Sequence, residues 1–455
     1  MPSSRGPGAY HISAEGRKFC LALAAVLLAA VMVTVALPGS GGSDESDAAT
    51  SFDSDNGYFM FTVTDEENHE VSVAAKSGAA LPSALEIPET VTYDSVTYTV
   101  TSVAMEGFSS RSSIVSVTLP DTLESIGDGA FYECGSLESV AIPDSVETIG
   151  INAFQFCTSM ASLYIGSSVE TIGDFAFSNC TSLTSVTVPD SVTYIGEEAF
   201  SYCSALKHIT LGSSVETIGF GAFALCTSLK SVVIPDSVTL IDQEAFEACT
   251  SLESVTIGSS VETIAADAFA ACTSLTFVAV PPSVTTIENE AFAECSALTE
   301  IAIPSTVTTY GDSVLEGCTE LATVYMDLDA YDEYSDDLGL SSLTRHNYSY
   351  DIVFHGNGGR IESSGTDDAY YGIRFNFDQT ATRLGYVFAG WNTEADGSGA
   401  TYSSGDIWSI YTDGDATIGL YAQWELDYVF LFAVLAGITV SVTTVALTYH
   451  YKKEQ

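Results

Sequence analysis

The chain has few basic residues. Its 455 residues contain 13 Lys and Arg against 60 Asp and Glu, so the formal net charge is −47 at pH 7. Proteins that bind nucleic acid need a basic patch to neutralise phosphates, so the composition excludes a nucleic-acid partner. Acidic excess of this size favours solubility and mutual repulsion at a cell surface, and divalent cations that bridge carboxylates are a further hypothesis.

The chain also lacks the motifs of the common enzymes. It contains no His-Glu-x-x-His, Gly-x-Ser-x-Gly or P-loop sequence, and no Gly-x-Gly-x-x-Gly after a strand. The six histidines, at 11, 69, 208, 346, 355 and 450, include no pair at metal-ligand spacing. We therefore predict no catalytic residues, no cofactor, no metal ligands and no enzymatic activity.

Cysteine is present in an unusual arrangement. Nine of the ten cysteines stand 23 residues apart, at 134, 157, 180, 203, 226, 249, 272, 295 and 318. A fixed period of this length indicates one structural unit stacked repeatedly, which is a solenoid. Stacked coils lie about 4.8 Å apart and a disulfide needs Cβ atoms nearer about 3.8 Å, so we predict buried free thiols that pack as small hydrophobes. An exported setting keeps disulfides open as the alternative.

Other residue types recur with the same 23-residue period. A phenylalanine lies three residues before each cysteine from Phe131 to Phe292, and Leu315 replaces it in the last coil. Alternating apolar residues, a Pro-Asp-Ser turn and a Gly-Glu-Glu-Ala-Phe segment predict strand, turn, second short strand and short helix in each coil. The strand exit alternates between proline (143, 189, 235, 281) and glycine (166, 212, 258), which indicates a 46-residue pair of coils as the unit that multiplied.

The recurring I-P-x-S-V-x-x-I-G-x-x-A-F-x-x-C-x-x-L unit resembles the BspA-like class of leucine-rich repeats. We assign it residues 106–326. The resemblance implies a right-handed leucine-rich-repeat solenoid of short strands plus short helices, on a secreted or surface protein that binds a partner.

A separate module covers residues 349–425. Its Gly-Trp-Asn-Thr (390–393), Asp-Gly-Ser-Gly-Ala-Thr-Tyr (396–402) and Leu-Tyr-Ala-Gln-Trp (420–424) elements resemble the Listeria–Bacteroides repeat, the internalin B-type repeat. That resemblance implies a small β-grasp-like domain used as a stalk or adhesion module. The usual aspartate before the Asn-Gly-Gly turn is replaced by His355-Gly356. We predict that Trp391 and Trp424 are core residues.

Two long apolar runs predict that the protein is membrane anchored. Residues 19–37 carry no charge and follow Arg17-Lys18, and residues 428–449 precede Lys452-Lys453. Nineteen helical residues span about 28 Å, close to a bilayer core. The positive-inside rule places residues 1–18 and the tail 450–455 in the cytoplasm and residues 38–427 outside. The first run is a signal peptide or a transmembrane helix, and the second is a transmembrane helix.

The remaining segments connect these parts. We predict an acidic flexible linker at 38–56, an N-terminal β cap of the solenoid at 57–105 and an acidic linker at 327–348. Clustered carboxylates in 327–348 raise a calcium hypothesis against that of a solvated linker. Asn347-Tyr-Ser349 is a glycosylation acceptor pattern.

A partner would contact the outward positions of the first strand of each coil. The residues of this candidate partner-binding face are Tyr164, Lys207, His208, Thr210, Lys230, Phe277 and Tyr325. We predict a cell-surface protein that adheres to or recognises an extracellular protein or glycan through the solenoid. The alternatives are a non-binding structural spacer or envelope component and, more weakly, an enzyme acting on surface polymers.

Overall fold

A computed structural model describes residues 50–336 without interruption. It also describes residues 338–426, with gaps at 337, 341, 347, 356, 358–359, 362–365, 371–373, 376–380, 385, 404–405 and 408–416. The predicted apolar segments 19–37 and 428–449, their flanks 1–18 and 450–455, and Asn347 lie outside the described residues. Within the described ranges, no helix has the length and apolar character that crossing a membrane requires.

The described chain begins with a β cap. Its strands are Ser51–Asp53, Phe59–Asp65, Glu70–Ala75, Ala84–Glu86, Thr90–Tyr93 and Val96–Val103. The last of them pairs with Ser125–Ile126 of the solenoid, so the cap continues into the repeat ladder. The predicted flexible linker 38–56 is wrong at its end, because Phe52 is buried and its ring stacks on Tyr93 at 4.2 Å.

The solenoid makes about 11 turns, and each coil contributes two short parallel strands. The three-residue strands are Ser116–Thr118, Ser139–Ala141, Ser162–Tyr164, Ser185–Thr187, His208–Thr210, Ser231–Val233, Ser254–Thr256, Phe277–Ala279, Glu300–Ala302 and Thr323–Tyr325. The two-residue strands are Ser125–Ile126, Thr148–Ile149, Thr171–Ile172, Tyr194–Ile195, Thr217–Ile218, Leu240–Ile241, Thr263–Ile264, Thr286–Ile287 and Thr309–Tyr310. Neighbouring two-residue strands pair with a 23-residue offset, which confirms the stacked-coil prediction. The three-residue strands pair with the same offset within three separate sheets, which are divided after Tyr164 and after Thr256.

The predicted short helix of each coil is wrong. The segment between the two-residue strand and the cysteine, which we call the turn side, is a series of turns. In one coil, Phe200 N–H donates to Ala222 of the next coil at 2.8 Å, whereas Ser201 N–H donates to Glu198 of its own coil at 3.1 Å. Glu198 and Tyr202 have positive φ, which a right-handed helix does not allow. Alternate N–H groups therefore join the coils together rather than form an α-helical ladder.

Phenylalanine and cysteine form adjacent columns of the core. The nine rings from Phe108 to Phe292 are stacked nearly parallel, with centroids 5.2–5.5 Å apart. Eight of the nine cysteines are buried, as predicted, and Cys318 is half-buried. Each thiol donates a hydrogen bond to a phenylalanine carbonyl of the preceding coil, for example Cys226 Sγ to Phe200 O at 3.3 Å. Burial raises the pKa of the Cys203 thiol to about 12.

The coils pair as the alternation of proline and glycine suggests. Residues 185–187 pair fully with 208–210, and 231–233 pair fully with 254–256. Between these pairs only His208 and Ser231 are in register. A Cβ atom on Gly212 would lie 2.2 Å from the Pro189 carbonyl oxygen, so only glycine fits at this position of the second coil of the pair. The Ser213 N–H also donates to the Asp190 carboxylate at 2.7 Å.

The segment predicted as an acidic linker, 327–348, is a C-terminal cap of the solenoid. It contains the helix Leu328–Tyr334, and its strand Thr344–His346 pairs in parallel with Thr323–Tyr325. Tyr334 contacts Tyr310 with ring centroids 4.9 Å apart, and Leu340 is buried. Apolar residues among the carboxylates thus cover the end of the core. The many acidic residues of the segment favoured the prediction of a linker, which is wrong.

The C-terminal domain has a separate core. Its strands are Ser349–His355, Arg360–Ile361, Thr366–Tyr370, Arg374–Phe375, Ala381–Thr382, Tyr386–Asn392, Thr401–Tyr402, Asp406–Ile407 and Thr417–Leu426. Five of them form one mixed sheet, in the order 366–370, 349–355, 417–426, 386–392 and 401–402. Trp391 is fully buried, which confirms its core assignment. Trp424 is half-buried, and its indole N–H donates to Asn357 O at 3.0 Å. The β-grasp-like fold stays a prediction.

Candidate partner-binding face

The three-residue strands present a continuous outward surface, which we call the strand face. Side chains alternate along a strand, so the middle residue points into the core and the first and third point outward. In one coil Val232 is 2% exposed, whereas Ser231 and Val233 on either side of it are exposed. Candidate residues on this face are therefore available to a partner unless another part of the chain covers them.

The basic candidates come together in two adjacent coils. Lys230 N–H donates to Lys207 O, so the two lysines are direct neighbours across the ladder. His208 follows Lys207, and both lysines and the histidine are exposed. Lys230 Nζ lies 2.7 Å from a Glu253 carboxylate oxygen, and both side chains of that ion pair are at least half exposed. We call Lys207, His208 and Lys230 the basic patch.

Thr210 and Tyr164 extend the basic patch along the strand face. Thr210 is exposed at the third position of the His208 strand. Tyr164 occupies the same outward column two coils earlier and is 53% exposed. Its hydroxyl donates to an Asp144 carboxylate oxygen at 2.9 Å, and this hydrogen bond raises the pKa of Tyr164. The pKa of Asp144 is lowered by the Ser167 backbone N–H, which donates to the same carboxylate, and secondly by the Tyr164 hydroxyl. Five of the seven candidate residues thus lie within four consecutive coils.

Of the other two candidates, Tyr325 is covered by the chain itself and Phe277 is half-buried. Tyr348, fully buried, packs on Ala279, Ala302 and Tyr325 on the outward side of the last coils, next to Phe277. The Tyr348 hydroxyl donates to Val280 O at 2.6 Å. Tyr325 is only 2% exposed and Phe277 is half-buried, so a partner cannot reach Tyr325 on this surface. The row of small and aromatic outward residues at 277–325 was the sequence signal for this internal contact.

The calcium hypothesis finds no arranged ligand set. In the part of the chain that the structure describes, no three Asp, Glu, His or Cys side chains are grouped so that they could hold a metal ion. The strand face offers ammonium, imidazole and hydroxyl groups, with the Glu253 carboxylate beside Lys230. These groups bind a ligand through hydrogen bonds and charge.

Stacked parallel coils with one open strand face define a leucine-rich-repeat solenoid protein. The BspA type leucine rich repeat region matches residues 89–207 and 193–322, in six copies, and the chain belongs to this family. The Listeria-Bacteroides repeat domain matches residues 350–423, which confirms the second resemblance.

Solved structures of bacterial leucine-rich-repeat proteins are similar to this chain. A leucine-rich repeat protein from Bacteroides ovatus is 24% identical, with 63% of this chain and 97% of that chain covered and a TM-score of 0.35. A leucine rich cell surface protein from Faecalibacterium prausnitzii is 26% identical, with coverage of 63% and 98% and a TM-score of 0.37. The pneumococcal vaccine antigen PcpA is 22% identical, with coverage of 61% and 82% and a TM-score of 0.42.

Curated relatives match over a short segment. A protein of Evansella cellulosilytica described as a Gly-rich membrane protein is 41% identical over 81 residues, which is 17% of this chain and 9% of the relative. A second membrane protein of that organism is 36% identical over 84 residues, 11% of its length. The chain thus spans about a tenth of the curated relatives that it matches.

Proposed function

We propose that this protein is a cell-surface recognition protein that binds an extracellular protein or glycan through the strand face, around the basic patch. The carrying observation is the juxtaposition of Lys207, His208 and Lys230 in two adjacent coils of a chain with a net charge of −47. Neighbouring cationic groups on a flat surface attract carboxylates or other anionic groups of a partner. Tyr164 adds an exposed aromatic ring, a side-chain type that is enriched at interfaces.

The proposed location is the cell surface. It rests on the apolar runs 19–37 and 428–449 with their basic flanks, on the family of the repeats, and on the membrane-protein descriptions of the two curated relatives. In this proposal the solenoid and the C-terminal domain are exposed outside the cell. Protease shaving of intact cells tests it: loss of the solenoid without lysis is expected, and full protection would contradict the location.

The binding role is tested with the double variant Lys207→Glu and Lys230→Glu in the full chain. The purified protein is assayed by biolayer interferometry against uronic-acid and neutral polysaccharides, and by pull-down of surface proteins from neighbouring cells. Reversing two charges at the centre of a contact is expected to weaken a saturable interaction at least about tenfold. The matched control is Lys76→Glu on the N-terminal cap, where the Lys76–Asp53 ion pair is 2.8 Å long and similarly exposed.

A spacer role is the second candidate, favoured by the composition of the rest of the strand face. Outside the patch its outward residues are mostly small, for example Ser116, Thr118, Ser139 and Ala141. Such a surface offers a partner few groups to hold. No saturable ligand for the parent protein, or equal binding by the double variant and the Lys76→Glu control, would favour the spacer and contradict recognition at the basic patch.

A further inference from the structure

The turn side of the solenoid ends in an open hydrogen-bonding edge. In each coil three alternate N–H groups of the turn side donate to carbonyls of the next coil. In the last complete step Glu290, Phe292 and Glu294 donate to Asp312, Val314 and Glu316 at 2.9, 3.0 and 2.6 Å. The equivalent donors of the final coil are Ser313, Leu315 and Gly317, and none of these N–H groups has a partner among the described residues.

Among the described residues of the C-terminal cap, no backbone group bonds to the N–H groups of this edge. Its strand Thr344–His346 pairs with the last three-residue strand, and its helix packs on the core end. Between the final turn side and the cap lies a partly open cavity of about 380 Å³. The cavity is lined by Leu315, Cys318 and Leu321 of the last coil and by Leu338, Leu340 and Leu343 of the cap.

The lining identifies what the cavity would accommodate. Leu315, Cys318 and Leu321 are the last members of the phenylalanine, cysteine and leucine columns. The cavity therefore lies between the last members of these columns and the leucines of the cap, and Ser313 and Leu315 of the open edge are part of its lining. A peptide whose alternate carbonyls face the edge, with one large apolar side chain between small residues, satisfies both features.

We propose that this edge, formed by Ser313, Leu315 and Gly317 together with the adjoining cavity, is a docking site for such a peptide segment of a partner protein. The opposite end of a second copy does not fit, because Gly107 O of the first coil already accepts Ala75 N–H of the N-terminal cap at 2.7 Å. Glu316 and Asp336 at the rim disfavour a strongly acidic segment. This site is distinct from the strand face, so it stands independently of the recognition proposed there.

The experiment uses the full chain and a synthetic peptide that copies residues 264–274, the turn side with a single acidic residue, with the cysteine changed to serine (Cys272→Ser). In the chain its carbonyls at Ala266, Ala268 and Ala270 accept the equivalent ladder bonds. Fluorescence anisotropy of the labelled peptide measures binding. Alkylation of Cys318, the one half-buried thiol among the nine of the ladder, measures occupancy by mass spectrometry.

Saturable binding is expected, together with at least about threefold slower alkylation of Cys318 in the presence of peptide. The Leu338→Trp variant fills the cavity from its half-buried rim and should weaken binding at least about tenfold. A Phe269→Asp version of the peptide should not bind. The matched protein control is Asp332→Asn, an exposed change on the cap helix. Equal binding by Leu338→Trp and parent protein, no saturation, or a concentration-dependent dimer that Leu338→Trp abolishes would each overturn the proposal.

Discussion

The stack of phenylalanine rings predicts a large and local loss of stability when one ring is removed. Phe200 is fully buried and lies between Phe177 at 5.2 Å and Phe223 at 5.4 Å, both nearly parallel to it. Burial of one phenylalanine side chain stabilises by about 1.5–3 kcal/mol, and each ring pair adds about 0.5–1.5 kcal/mol. Phe200→Ala should therefore lower the free energy of unfolding by about 3–5 kcal/mol, as cavity-forming changes of this type do.

The assay exploits the distribution of tryptophan. All three tryptophans, at 391, 408 and 424, belong to the C-terminal domain, whose core is separate from that of the solenoid. Urea unfolding followed by far-ultraviolet circular dichroism reports mainly the solenoid, and tryptophan fluorescence reports the C-terminal domain. Phe200→Ala should shift the circular dichroism transition to lower urea and leave the fluorescence transition where it is in the parent protein.

Two outcomes would refute this reasoning. A shift of the circular dichroism transition no larger than that of Tyr194→Ala, an outward aromatic in the same coil, would show that the ring stack contributes little. Surface changes of that kind are usually worth less than about 0.5 kcal/mol. An equal shift in both signals would show that solenoid and C-terminal domain unfold as one cooperative unit, against the nearest-neighbour behaviour of repeat proteins.

Three further predictions concern the columns of the coil. Gly212→Ala should lower the urea midpoint by an amount equivalent to about 2 kcal/mol or more, because the added Cβ would lie 2.2 Å from a backbone oxygen. Gly135→Ala is the control and should change the midpoint little, because its Cβ would lie 3.5 Å from the nearest atom, the Thr158 hydroxyl oxygen. Burial raises the pKa of Cys203 and Cys249 to about 12. Between pH 9 and 12 these thiols therefore ionise in the unfolded chain before they ionise in the folded protein, and the free energy of unfolding falls by about 1.4 kcal/mol per pH unit for each thiol. In a variant with alanine at both positions, the urea midpoint should fall less steeply from pH 8 to 9 and 10 than in the parent protein. Cys318, half-buried with a pKa raised to about 11 by burial, should be alkylated in the native protein before any other thiol of the ladder, as peptide mass mapping would show.

Each of these has a clear contrary result. Equal midpoints for the two glycine variants would mean that the coils separate at little cost. A pH dependence that is the same with and without the two cysteines would assign the alkaline sensitivity to other groups. Uniform alkylation of the ladder would indicate opening of the whole core rather than exposure at its end.

The spacing of residues along the chain was sufficient to predict the core residues of the solenoid and the family of the repeats. A 23-residue period predicts which residues share a column, and the columns of phenylalanine, cysteine and leucine are buried as that period requires. The alternation of proline and glycine likewise predicted a pair of coils, because a glycine is needed where the backbone of the preceding proline coil approaches closely. The outward positions of the strand face follow from the same alternation of side chains.

Only the tertiary structure decided where the backbone hydrogen bonds and the covering side chains go. The turn side contains helix-compatible residues, but its alternate N–H groups bond to the next coil, a partner that local sequence does not reveal. Tyr348 covers Tyr325 and Val280 from a distance of 23 and 68 residues, which removed one candidate from the face. The acidic segment after the repeats became a cap because its few apolar residues meet the open core end. The residues that share a core column follow from the spacing along the chain. The hydrogen-bond partners and the covering side chains depend on which coils are adjacent and on where the stack of coils ends.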